Sequence, residues 1–144
     1  MEKFNSTLLI DDDSITNHLS KRLLEKFSIA NGIYTVENGE EALKFIVNYD
    51  PDFNTCPELI FLDLNMPVMD GLTFLDIYQG LTYLNKDKVV IVMLTNSQDE
   101  KVINKCREYG VKYFLNKPLT EQKLNQLFEE IALAASHREQ VNLK

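Results

Sequence analysis

The chain has 144 residues, 44% of them apolar and 26% charged, which is the balance of one globular domain and short for two. Its net charge of −7, without any run of Lys or Arg, argues against nucleic acid as a direct partner. Cys56 and Cys106 stand far apart in no CxxC pattern, against a disulfide framework or a zinc site. No apolar stretch approaches a signal peptide or a membrane span, so a soluble, cytoplasmic protein with no membrane partner is expected.

Two kinds of segment alternate along the chain. Thr7-Leu8-Leu9-Ile10 reads as a first strand and stops abruptly at Asp11-Asp12-Asp13. A helix follows, with Asp13 as a cap and Ile15, Leu19, Leu23 and Phe27 recurring every fourth residue as its apolar face; His18, beside Leu19, reads as structural. After Gly32, Ile33 to Val36 makes a short strand. Asn38 and Glu41 form a cap pair for a second helix with Ala42, Leu43 and Ile46 on its apolar face. A loop rich in Asp, Asn and Pro, from Asp50 to Pro57 and containing Cys56, leads into Leu59-Ile60-Phe61-Leu62 and Asp63. Asn65-Met66-Pro67 and Asp70-Gly71 mark an irregular loop before a third helix carrying Leu72, Leu75 and Tyr78.

Val89 to Leu94 is the most hydrophobic strand candidate and ends at Thr95. Ser97 and Glu100 have capping-box spacing for a fourth helix, with Val102, Ile103, Cys106 and Tyr109 on one face and Gly110 at its end. Tyr113-Phe114-Leu115 is a short last strand before Lys117-Pro118. Thr120 then caps a final helix with Leu124, Leu127, Phe128 and Ile131, and Ser136-His137 falls in a solvated tail. Strands without polar alternation have both faces covered, which predicts a doubly wound α/β fold built on a parallel sheet.

Polar residues recur at the carboxyl end of four of these strands: Asp11 and Asp12, Asp63, Thr95, and Lys117. Open α/β sheets bind ligands outside those ends, where strand order reverses. In a 2-1-3-4-5 order, the first and third strands are neighbours about 4.8 Å apart, and the three acids share one cluster. The fifth strand lies roughly 10 Å from the third, a gap that needs a side chain as long as lysine. Three close carboxylates repel one another unless a cation or protons intervene, and hard oxygen donors suit Mg2+ (or Mn2+) rather than Zn2+. A carboxylate in line with a metal-bound phosphoryl group is a nucleophile that yields an acyl phosphate. Lys117 and Thr95 would then serve the other phosphoryl oxygens.

The motifs LLIDDD, IFLDLNMPVMDG, VVIVMLTNS and YFLNKPL together resemble those of response-regulator receiver domains, and they span nearly the whole chain. The resemblance implies a flavodoxin-like, five-stranded sheet in 2-1-3-4-5 order. It implies that Asp63 is the phosphoacceptor, that Asp11 and Asp12 are metal ligands with Asp63, and that Asn65 lends its backbone carbonyl to the metal. Thr95 and Lys117 match the conserved hydroxyl and lysine. Phe114 matches the aromatic switch position, although a buried core aromatic explains it equally well. The Lys117–Pro118 bond resembles one that is cis in the family.

The implied partners are a histidine kinase or a histidine phosphotransfer protein. The implied response is a shift in the surface of the fourth helix, fifth strand and fifth helix. The receiver would occupy 1–133, and 134–144 would form a C-terminal helix extension or tail, too short for an output domain. Signalling would then pass to a protein partner or to a further phosphotransfer step. The receiver is no enzyme beyond its own phosphorylation and dephosphorylation. Two rivals stand beside it: a docking pseudo-receiver without activity, and a haloacid-dehalogenase-type phosphatase with Asp11 as nucleophile. A flavin or nucleotide binder is disfavoured, since acids after the first strand repel a phosphate.

Overall fold

Among the described residues five strands and five helices alternate: β1 (Ser6–Ile10), α1 (Ser14–Glu25), β2 (Ile33–Val36), α2 (Gly39–Val47), β3 (Pro57–Asp63), α3 (Gly71–Gln79), β4 (Val90–Leu94), α4 (Glu100–Glu108), β5 (Tyr113–Leu115) and α5 (Glu121–Asn142). The computed structural model describes residues 4–48, 57–82, 84 and 86–142, with side chains of the last helix described as far as residue 137. Cys56 and the loop before Pro57 lie outside the described residues. The strands are parallel and ordered β2-β1-β3-β4-β5, the expected doubly wound arrangement.

The two-residue period of the strands divides the core between the two faces of the sheet. Leu8, Ile10, Ile60, Leu62, Ile91 and Met93 pack with Ala42 and Ile46 of α2, Phe74, Leu75 and Tyr78 of α3, and Cys106 of α4. Leu9, Leu59, Phe61, Val92 and Leu94 face the other way, toward Leu24 of α1 and Leu124, Leu127, Phe128 and Ile131 of α5. Burial on both faces is why β1, β3 and β4 read as unbroken apolar runs.

Short polar side chains open the helices. Asp13 caps α1 by accepting from Ile15 N and Thr16 N, Asn38 caps α2, Asp70 caps α3, and Thr120 Oγ1 accepts from Lys123 N at 3.2 Å. Glu41 reaches back from α2 to the Glu37 N–H, one residue before the cap. Gly110, at φ +91, ends α4, and Val111 N donates back to the Cys106 carbonyl at 3.1 Å. The Lys117–Pro118 peptide is cis. The last helix passes residue 133 without a break and reaches Asn142.

Three local expectations fail. The cap of α4 is Asp99, which accepts from Lys101 N, while Ser97, two residues earlier, accepts from Asp99 N through its Oγ. The apolar stripe of α1 is only half in the core: Leu23 and Phe27 pack inward, but Ile15 is 69% and Leu19 60% exposed. The buried face of α1 is instead Asn17, Ser20 and Leu24, because hydrogen bonds of Asn17 to the ends of β1 and β2 fix the roll of the helix. His18 consequently faces solvent rather than serving as a structural residue.

Candidate functional site

The carboxyl ends of β1, β3, β4 and β5 bring the sequence-selected polar residues to one cleft. It is lined by Asp11, Asp12, Asp13, Asp63, Asn65, Thr95 and Lys117, among others. Asp11 follows β1 and Asp63 ends β3, so strand adjacency alone sets them side by side. Asp11, Asp12 and Asp63 each offer a carboxylate oxygen, and these oxygens lie within 4.8 Å of one another. Asp11 and Asp63 are buried, whereas Asp12 is exposed at the mouth.

Lys117 crosses from the end of β5 to both buried acids. Its Nζ lies 2.6 Å from Asp11 Oδ2 and 3.1 Å from Asp63 Oδ2. Asp11 Oδ1 accepts from Asp13 N at 3.0 Å, and Asp63 Oδ1 accepts from Asn65 N at 3.3 Å. Asp11 Oδ2 is buried and, among the described residues, has only the Lys117 ammonium beside it, so part of the acceptor capacity of this carboxylate oxygen is left under-satisfied. Thr95 is buried, and its Oγ1 accepts from Ser97 N at 2.9 Å, which leaves the hydroxyl proton available to donate. Phe114 is half-buried against the core, with the Arg107 guanidinium 5.5 Å from its ring centre.

Burial pushes the Asp63 carboxyl above the usual carboxylate range. The Lys117 hydrogen bond and charge oppose that shift, and the neighbouring charge of Asp11 adds to it. Burial works against the Lys117 ammonium, yet its hydrogen bonds to Asp11 and Asp63 prevail and hold its pKa above the ordinary lysine value. Asp13, at the rim, is lowered by its hydrogen bonds from Thr16 and Ile15, as a helix cap should be.

One ammonium thus stands against two buried carboxylates, with the third, Asp12, exposed at the mouth of the same cluster. An all-oxygen cluster with surplus negative charge and an under-satisfied buried oxygen fits a hard divalent cation such as Mg2+ or Mn2+. The surplus also has a cost in stability. A folded-state pKa above the unfolded one favours the protonated acid, so the contribution of Asp63 is present at low pH and is lost as pH rises through its folded value. Asp63→Asn is therefore expected to raise Tm by a few degrees at neutral pH, with the gain shrinking toward about pH 4. Thermal unfolding of both proteins across that range, without added divalent metal, checks it.

Three contributors escape a reading of the strand ends alone. Asn17 is buried on α1, and its Nδ2 donates to the carbonyls of Asp11 at 2.9 Å and Val36 at 3.1 Å, which anchors the acidic turn. The available signal is a polar side chain four residues past the cap, in a helix whose four-residue apolar repeat marks a different face. Gly71 packs on the chain just after the acid: a Cβ there would lie 2.8 Å from the Asp63 carbonyl oxygen. Asn96 accepts from the Lys117 backbone N–H at 3.2 Å.

The profile of the response regulator receiver domain matches residues 7–129. The chain is similar to an uncharacterised response regulatory protein of Vibrio cholerae, 28% identical over 130 residues that cover 90% of this chain and 45% of that protein. It is also similar to a probable C4-dicarboxylate response regulator of Halalkalibacterium halodurans, 33% identical over 117 residues, 81% of this chain and 46% of that protein. The chain spans about half the length of these curated relatives. Among solved structures it is similar to a two component response regulator from Cytophaga hutchinsonii, with a TM-score of 0.77 and 29% identity over 91% of this chain and 98% of that one. With this match and the expected sheet order, the chain belongs to the response regulator receiver domain family.

Proposed function

We propose that Asp63 accepts a phosphoryl group from a phosphohistidine on a histidine kinase or histidine phosphotransfer protein. The observation that carries this reading is the convergence of Asp63, Asp11 and Lys117 at the switch point of the sheet, with one ammonium against both buried carboxylates. Receiver domains of this family are signalling phosphoacceptors. An Asp63 carboxylate oxygen would attack phosphorus; the P–N bond breaks, and the departing imidazole takes its proton from solvent. Water would later cleave the acyl phosphate and restore the carboxylate. Asp11, Asp12 and Asp63, with the Asn65 backbone carbonyl, would hold Mg2+ (or Mn2+), which supplies charge neutralisation to the transferring group. Lys117 and the Thr95 hydroxyl would take the remaining phosphoryl oxygens.

Phosphorylation adds about −1.5 to −2 charges to the cleft. Thr95 turning toward that charge would draw the loop leading to α4, and Phe114 would move with it, which biases the α4–β5–α5 face between two arrangements. The proposed output is partner binding by that face or onward phosphotransfer. The receiver unit is assigned to 1–133, with 134–144 as a helical extension. Among the described residues no helix is long and apolar enough to cross a membrane, and a cytoplasmic site of action accords with the phosphodonor class.

The partner surface has a candidate in the residues that sequence periodicity had placed in the core. Ile15 and Leu19 stand in solvent one turn apart on α1, the helix whose first turn, through Thr16, lines the cleft. Ile15→Lys combined with Leu19→Lys is expected to slow transfer from a phosphorylated histidine phosphotransfer domain about tenfold. Phosphorylation by acetyl phosphate should proceed as in wild type, because the cleft is untouched. Transfer of label from the protein donor at an unaltered rate would remove α1 from the docking surface; failure of wild type to take label from any phosphohistidine donor would count against the function itself.

A further inference from the structure

The ladder between β4 and β5 ends where the site begins. Leu94 and Leu115 are its last paired residues, and Thr95 N donates to the Leu115 carbonyl at 3.0 Å. A parallel ladder carried one rung further would join the Lys117 N–H to the carbonyl of Thr95. The acceptor is instead a side chain: Lys117 N donates to Asn96 Oδ1 at 3.2 Å. By then the chain is turning toward α4, with Ser97 N–H on Thr95 Oγ1. The Asn96 carboxamide carries the rung that the departing backbone leaves open.

This bond joins two loops that carry chemistry. The loop after β4 presents Thr95, and the loop after β5 presents Lys117. From the edge of the sheet, Lys117 must reach past β4 to Asp63 on β3 and to Asp11 after β1. A long, extended side chain transmits any shift of its own backbone to the ammonium at its tip, so the place where that backbone is fixed matters.

We infer that Asn96 is a positioning residue for Lys117, fixing its backbone against β4 so that the ammonium and the Thr95 hydroxyl address one phosphoryl group; this rests on the phosphoacceptor reading. Asn96 touches neither acid. It acts through the place it gives to Lys117.

The test compares wild type, Asn96→Ala and Asn96→Asp by titration with beryllofluoride in Mg2+ and by exchange of the Lys117 amide proton. Asn96→Ala is expected to raise the half-saturating beryllofluoride concentration about fivefold, the weight of one exposed hydrogen bond. The Lys117 amide should exchange faster, with Tm changed by no more than about two degrees. Asn96→Asp keeps an acceptor oxygen in place, so its Lys117 amide should exchange as slowly as in wild type. A residue that only stabilised the loop would lower Tm and speed exchange throughout the turn after β4, without selective loss at Lys117. That pattern, or unchanged half-saturation in Asn96→Ala, overturns the inference. A wild-type protein with no beryllofluoride response overturns the phosphoacceptor reading, and this inference falls with it.

Discussion

Lys117→Ala should slow phosphorylation of Asp63 by a small phosphodonor about 10²- to 10³-fold, the effect of removing one preorganised charge from a developing phosphoryl oxygen. The same change strips two buried carboxylates of their shared counter-charge. Breaking a buried pair from one side costs about 3–5 kcal/mol in closed sites. Lys117 is 28% exposed, so solvent screens part of that and the lower end of the range is expected. Without the ammonium, whose hydrogen bond and charge oppose the burial of Asp63, the Asp63 carboxyl should titrate higher in the folded state than in wild type. Its protonated form is then favoured, so the stability lost at neutral pH should be largely recovered below the unfolded carboxylate range, about pH 4. Urea unfolding at the two pH values measures the recovery. Equal destabilisation at both would show that lost packing, not uncompensated charge, is the cause.

Gly71→Ala should be the most damaging single-methyl change near the site. Its Cβ would sit 2.8 Å from the Asp63 carbonyl oxygen and 3.0 Å from Leu64 Cα, both backbone atoms that cannot rotate away. Gly71 N also donates to the Leu64 carbonyl at 2.9 Å, so the helix start and the strand end are held together at the point of contact. Overpacking of this kind costs about 1–3 kcal/mol. The nearest displaced atom is the carbonyl oxygen of Asp63 itself, so phosphorylation should slow along with the loss of Tm. Gly80→Ala is the control, because among the described residues its Cβ would meet only the Ile77 carbonyl oxygen, at 3.3 Å. A Gly71→Ala protein as stable as the Gly80→Ala protein would mean that the loop after β3 yields more readily than its hydrogen bonds imply.

The fold was legible because the three central strands are buried on both faces and four of the five strands lead into a polar residue. Leu8 to Ile10, Leu59 to Leu62 and Ile91 to Leu94 could hardly be anything but central strands. The site was legible for a related reason: parallel strands bring all their carboxyl ends to one edge, so Asp11, Asp63, Thr95 and Lys117 could be gathered from sequence once the strand order was supposed. What escaped was information that only tertiary contacts carry. A four-residue repeat places Ile15, Leu19, Leu23 and Phe27 on one stripe, but it cannot say which way the helix rolls, and two hydrogen bonds of Asn17 settle that. Ser97 and Asp99 both have side chains suited to a cap; the choice between them depends on where the loop after Thr95 turns. Gly71 and Asn96 matter through backbone atoms eight and twenty-one residues away in sequence, Asp63 and Lys117, which local spacing does not couple.

The most direct test of the account locates the phosphoryl group. The chain is incubated with acetyl phosphate with and without Mg2+, and the adduct is mapped by peptide mass spectrometry in wild type and Asp63→Asn. The account predicts one phosphoryl group, formed only with the divalent cation, on the peptide containing Asp63 and absent from Asp63→Asn. A phosphoryl group trapped on Asp11 with turnover of the donor would point to a phosphatase. No adduct under saturating donor, together with no conformational response, would contradict the account and leave a docking module on the receiver fold.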